Sequence, residues 1–310
     1  MFLAKDFVET QEGLVFAVVE SGVEQGKVLC FLRYILLNKQ WQKVNTEQAN
    51  QFLTEHYPQY LYYSPFKQAS CHAVTLDQVF KHHQPRERLN QLLSNKVKDN
   101  VESDLIALCR LYEAQGLDLG EVGVTGSILI SAQNHSSDID LVFYSRAIFN
   151  RVRKMTQKLV LQGDCSDLND NDWQDSYDRR CCDLSYSEYL WHEKRKFNKA
   201  VINQRKFDLN FVLENTESAS PSQYEKLGAI VLKIRVADDK LAFDYPAEFL
   251  LEHEQIKLIV SYTATYTGQA QAGEWVEVAG QLEQSIDGAK RIVVGSSREA
   301  KGEYIKVIDG

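Results

Sequence analysis

The segment Gly123-Val-Thr-Gly-Ser127 is followed, after ten residues, by Asp138-Ile-Asp140-Leu-Val-Phe143, and a further carboxylate, Asp208, lies in Lys206-Phe-Asp-Leu-Asn-Phe211. On a strand, residues two apart leave the same face, so Asp138 and Asp140 are expected side by side while Ile139 and Leu141 enter the core. Neighbouring carboxylates repel unless a cation lies between them, and hard oxygen ligands suit Mg²⁺, or Mn²⁺ in its place. Asp208, on a strand with the same alternation, would complete a two-metal site. Gly126-Ser127 forms a tight turn before an apolar helix over residues 128–131, which offers backbone N–H groups and a hydroxyl to phosphate oxygens.

These residues need strands and helices to hold them. Helical spacing runs from Val101 through Leu105, Leu108, Leu111 and Tyr112 to Gly116, and a short apolar strand follows at Val122 to Val124. Strands are expected at Ile139 to Tyr144 and Lys206 to Leu213, with a helix near Ala147 to Leu161 and a polar insertion between them. Upstream, Gly13 to Glu20 and Lys27 to Ile35 read as a hairpin, Asn45 and Gln48 as the capping box of a helix ending near His56, Thr75 as the start of a short helix, and Pro85 as the entry to another. Residues 215–223 read as a linker. Beyond them, strand-like segments at Ile230 to Val236, Ile256 to Thr267, Glu274 to Glu283, Lys290 to Val294 and Tyr304 to Ile308 alternate with glycine turns and suit a small barrel, an OB-like one being an option. The expected fold class is α+β: an amino-terminal α+β domain over 1–98, a catalytic domain with a mixed sheet over 99–215, and a β-rich domain over 224–310.

The Gly-Ser turn, the Asp-x-Asp strand and the later strand carboxylate resemble the mark of the DNA polymerase β-like nucleotidyltransferase superfamily over about Val101 to Leu213. Gly13-Leu-Val-Phe-Ala-Val-Val19 and Ala242-Phe-Asp-Tyr-Pro-Ala247 look similar to an uncharacterised group of predicted nucleotidyltransferases. The resemblance implies an enzyme that moves a nucleotidyl group from an NTP to an acceptor hydroxyl with release of pyrophosphate. It further implies that Gly126 and Ser127 grip the triphosphate, that Asp138 and Asp140 hold both metals, and that Asp208 binds the metal at the acceptor. A departure from the pattern is that 67 residues lie between Asp140 and Asp208, so Asp183 and Asp178 are alternatives for the third acid. A non-catalytic nucleotide- or nucleic-acid-binding protein on the same fold is the competing function.

Charge sharpens the choice of partners. The chain carries −8, which argues against coating nucleic acid by bulk positive charge. Residues 146–207 nevertheless carry +4, with Arg179, Arg180, Lys194, Arg195 and Lys199 the candidates to meet triphosphate oxygens. Residues 216–310 carry −5, so RNA is one acceptor to consider through the carboxyl-terminal domain, beside a protein or a small molecule. Cys71, His72, His82 and His83 have no zinc-ligand spacing, and His72 reads as a hydrogen-bonded core residue. The six cysteines are expected reduced, no apolar run approaches the length of a membrane span, and a cytoplasmic location is the expectation.

Overall fold

The hairpin of the amino-terminal segment is the seed of a larger sheet. The computed structural model describes residues 1–65, 69–214, 224–296 and 300–309; the expected linker, 215–223, lies outside them. The first sheet contains β1 (Phe7–Glu9), β2 (Leu14–Val18), β3 (Lys27–Leu37), β4 (Gln40–Lys43), β5 (Leu61–Ser64), β6 (Ala69–Thr75) and β7 (Lys81–His83), in the order β5-β6-β3-β2-β1-β7 with β4 on β3. Asn38 and Lys39, both at positive φ, close the β3–β4 hairpin. Helix α1 (Thr46–His56) begins where the capping box places it: the Asn45 side chain accepts from the Gln48 N–H and the Gln48 side chain from the Asn45 N–H, each at 2.9 Å. The turn after Thr75 is a single 3-10 turn, Leu76–Gln78, because β7 must start within a few residues.

A second sheet holds β8 (Val122–Thr125), β9 (Ile139–Phe143), β10 (Lys199–Ile202) and β11 (Arg205–Phe211), in the order β10-β11-β9-β8. Only the β9–β11 pair is parallel, and a parallel pair needs a crossover, here supplied by a helix. Helices α2 (Pro85–Ser94), α3 (Asn100–Ala114) and α4 (Arg146–Gln162) accompany this sheet, α2 against β8 and α4 across β9, β10 and β11. Phe149 of α4 sits between Phe143 and Phe211, at ring-centre distances of 6.2 and 5.6 Å. Ile139, Leu141, Phe207 and Leu209 are buried, as the alternation requires.

The third sheet closes on itself. Its strands are β12 (Tyr224–Asp238), β13 (Ala247–Leu251), β14 (Ile256–Ser261), β15 (Trp275–Ser285), β16 (Lys290–Val294) and β17 (Tyr304–Asp309). The ring runs β12-β13-β14-β16-β15 and back to β12, with β14 and β16 parallel and β17 added on β15. Val236, Phe249, Ile259, Val276, Val278 and Ile292 are buried. The expected long strand from Ile256 stops at Ser261, where Thr263 caps a 3-10 turn, Ala264–Tyr266. Strand β13 has no counterpart in the sequence reading; it is short and follows Pro246 directly.

Among the described residues the architecture is therefore mixed α+β, with three sheets and six helices, none long and apolar enough to cross a membrane. All six cysteines are free thiols. The chain forms two compact units: Met1–Ser166 with Asn198–Thr216, and Asp167–Phe197 with Glu217–Gly310. The second unit thus takes α5 (Asp170–Arg180) and α6 (Tyr186–Lys194) out of the insertion.

Within that unit His192 is buried with both ring nitrogens used: Nδ1–H donates to the Glu188 carbonyl (2.7 Å) and Nε2 accepts from the Val307 N–H (3.1 Å). Burial holds its pKa down to about 4, from an ordinary 6.5. The unfolded chain takes up this proton first, so stability is lost as pH falls from 6.5 towards 4, by up to about 3 kcal/mol. Urea unfolding of wild type and His192→Gln between pH 7 and 4.5 checks this: the variant should show the weaker pH dependence, and equal slopes would refute it.

Candidate active site

Four side chains lie in one row across the second sheet. Lys199 of β10 is registered beside Asp208 of β11, Asp208 beside Asp140 of β9, and Asp140 beside Thr125 of β8. Adjacent strands are about 4.8 Å apart and registered partners share a face, so the sheet itself makes two carboxylates nearest neighbours. Asp138 lies one residue before β9 and is exposed. The Asp140 carboxyl is pushed up to about 6, by burial first and then by the Asp208 charge; Lys5 and Lys43 pull it back, and Asp138 adds to the push. A carboxylate held in conflict with its neighbours is a place where a cation is favoured.

The glycine turn presses on this carboxylate. Gly126 has φ of 70°, and a Cβ there would come within 2.5 Å of Asp140 Oδ2. Only glycine accepts both the left-handed backbone and the close approach. Ser127 follows in a 3-10 helix, Gly126–Ile130, whose Ile128, Leu129 and Ile130 are buried and whose end is set by Ser131 at φ 56°.

Two arginines absent from the sequence-based site hold these loops. Arg88 Nε donates to the Ile128 carbonyl (2.9 Å), and its terminal nitrogen donates to the Ser131 hydroxyl (2.9 Å) and pairs with buried Glu102 (3.4 Å). Arg205 Nε donates to Asp104 (2.8 Å), and its terminal nitrogen donates to the carbonyls of His135 (3.1 Å) and Ser137 (2.6 Å), which bind the loop leading into Asp138. Their targets are backbone carbonyls 40 and 68 residues away, a relation that no local spacing reveals.

Of the expected cations, Lys199 joins the row, whereas Arg179, Arg180, Lys194 and Arg195 belong to the second unit. There Arg179 Nε donates to the Asp175 carbonyl (3.2 Å), Lys194 pairs with Asp167 (3.7 Å), and Arg195 pairs with Glu274 (2.5 Å) over the Trp191 ring. The alternative acids are in that unit too: Asp178 accepts from Gln174 (2.9 Å) and Asp183 from the Gly302 N–H (2.7 Å). His72 is a core residue, its Nδ1 accepting from the Leu32 N–H (3.0 Å), while His82 pairs with Asp6 (2.7 Å) and His83 with Glu9 (2.8 Å).

Among the described residues no three His, Cys, Asp or Glu side chains converge as a ready-made metal cage. The pair Asp140 and Asp208 nevertheless fits the way Mg²⁺ is held, by one or two carboxylates with the other positions left to water and substrate phosphate.

Fold and site thus define an α+β protein with an in-register carboxylate pair set against a glycine turn. The chain belongs to the family of the uncharacterized protein MJ1086 of Methanocaldococcus jannaschii, to which it is 34% identical over 343 aligned positions covering 98% of each chain. No family model matches the sequence, and no solved structure matches it.

Proposed function

We propose that this protein is a Mg²⁺-dependent nucleotidyltransferase, which moves an NMP from an NTP to an acceptor hydroxyl. The observation that carries the reading is the registered pair Asp140 and Asp208 with Gly126 packed on the Asp140 carboxylate. Asp140 and Asp208, with Asp138 at the strand entry, would hold the metal, which when bound neutralises the carboxylates and polarises the triphosphate. Gly126 leaves room above Asp140, and Ser127 offers its hydroxyl to a phosphate oxygen. The acceptor oxygen attacks the α-phosphorus, the bond to the oxygen bridging the β-phosphate breaks, and pyrophosphate leaves. The acceptor proton passes to the Asp208 carboxylate and on to water.

An RNA end is the acceptor to try first. The closed five-strand ring with one parallel pair supports an OB-like reading of the carboxyl-terminal strands, and such barrels bind oligonucleotides. The test incubates the full chain with each labelled NTP, Mg²⁺ and RNA, protein or small-molecule acceptors. Label is expected with wild type and absent from Asp138→Asn/Asp140→Asn; equal labelling of the two would sink the assignment.

A further inference from the structure

We infer that the amino-terminal sheet supplies the cationic side of this site, with Lys5 and Lys43 holding the β- and γ-phosphates that depart as pyrophosphate. The inference rests on the nucleotidyltransferase reading and extends it to two residues outside the Gly-Ser and Asp-x-Asp motifs. Lys5 is exposed and has φ of 74°, a backbone state that is strained for a residue with a side chain and persists only where its surroundings impose it.

Hydrogen bonds and packing impose it here. The Lys5 carbonyl accepts from Thr125 Oγ1 at 2.7 Å, and Thr125 is the strand partner of Asp140. The Lys5 N–H donates to the Val18 carbonyl (3.0 Å). The next residue, Asp6, is buried, accepts from the Leu3 N–H (2.9 Å) and pairs with His82. Leu3 and Ala4 pack on Val142, Tyr144 and Val212. The strained turn is therefore fixed to the end of the carboxylate row rather than left to wander.

Lys43 is the last residue of β4. It is registered opposite Tyr34, and Tyr34 is buried in one cluster with Leu129 and Ile130 of the glycine-turn helix. A bound triphosphate adds negative charge to a face that already carries Asp138, Asp140 and Asp208, and lysine is a common point-charge partner for phosphate. Both lysines are exposed, so a substrate can meet them.

The experiment measures Mg²⁺-dependent binding of ATP, GTP, CTP and UTP, and of the matching monophosphates, to the full chain. Wild type is compared with Lys5→Met, Lys43→Met, the double variant, and Lys5→Arg/Lys43→Arg, with melting temperature recorded for each. Each Met variant is expected to weaken binding of the preferred triphosphate about tenfold, to leave the monophosphate within about twofold, and to be rescued by arginine. If wild type binds a triphosphate and the folded Met variants bind it equally well, or lose tri- and monophosphate affinity together, the lysine assignment is overturned and the nucleotidyltransferase reading stands. If wild type binds no triphosphate with Mg²⁺, both fall. Lys43→Met alters an exposed strand residue, so it remains informative even where Lys5→Met fails to fold.

Discussion

At pH 8 in metal-free buffer, Asp140→Asn is expected to be more stable than wild type by about 3 kcal/mol, and to lose any response of its melting temperature to Mg²⁺. The Asp140 carboxyl is raised from 3.8 to about 6 by burial and by the neighbouring Asp208 and Asp138 charges. For an acid whose folded pKa lies above its unfolded one, the stabilising contribution is present below the unfolded value and lost as pH rises through the folded one. Wild type should therefore lose stability between pH 3.8 and about 6, and the asparagine variant should not share that loss. A cation bound only by the folded wild type restores stability by mass action. Urea titrations at pH 5 and 8, with EDTA or Mg²⁺, measure both effects. A variant less stable than wild type at pH 8 would show that the carboxylates are not in electrostatic conflict, and one that responds equally to Mg²⁺ would show that Asp140 does not hold the cation.

The second large effect is expected in the other unit. Lys196, 2% exposed, donates to Glu193 (2.5 Å) and to the Thr265 carbonyl (2.9 Å), and the Glu193 side chain is 4% exposed. Removing one member of a buried pair leaves its partner charged and unsolvated, which costs about 3–5 kcal/mol, whereas replacing both is far milder. Lys196→Met should therefore unfold at much lower urea than wild type, and Lys196→Met/Glu193→Leu should recover most of the loss. A single variant as stable as the double would disprove the argument.

The contrast between these two sites shows what the sequence can reveal. Asp138 and Asp140 were legible as candidates because their offset from Gly126-Ser127 is a local relation, whereas Asp208 is brought beside Asp140 by strand pairing across 67 intervening residues, which left Asp183 and Asp178 open as alternatives. The capping box at Asn45 and Gln48 was likewise legible from a local relation, since its bonds span three residues. Lys196 and Glu193 are also three apart, yet the spacing is as good for a solvated helix end as for a buried pair; only packing against Thr265 decides. The arginines that hold the site, Arg88 and Arg205, serve backbone carbonyls, which have no residue type to read. The edge strand Lys199–Ile202 and the five-residue strand Ala247–Leu251 were missed because each gains its place from a partner strand rather than from its own alternation.

Because residues 167–197 leave the first unit and residue 198 re-enters it, the chain passes between the two units three times. During synthesis, which proceeds from the amino terminus, the first unit cannot complete its four-stranded sheet until β11 has emerged. By then α5 and α6 are already made, while the rest of their unit, from residue 217 on, is still to be translated. No single cut divides the protein into two complete halves. Its units are separate as packed bodies and inseparable as genetic segments.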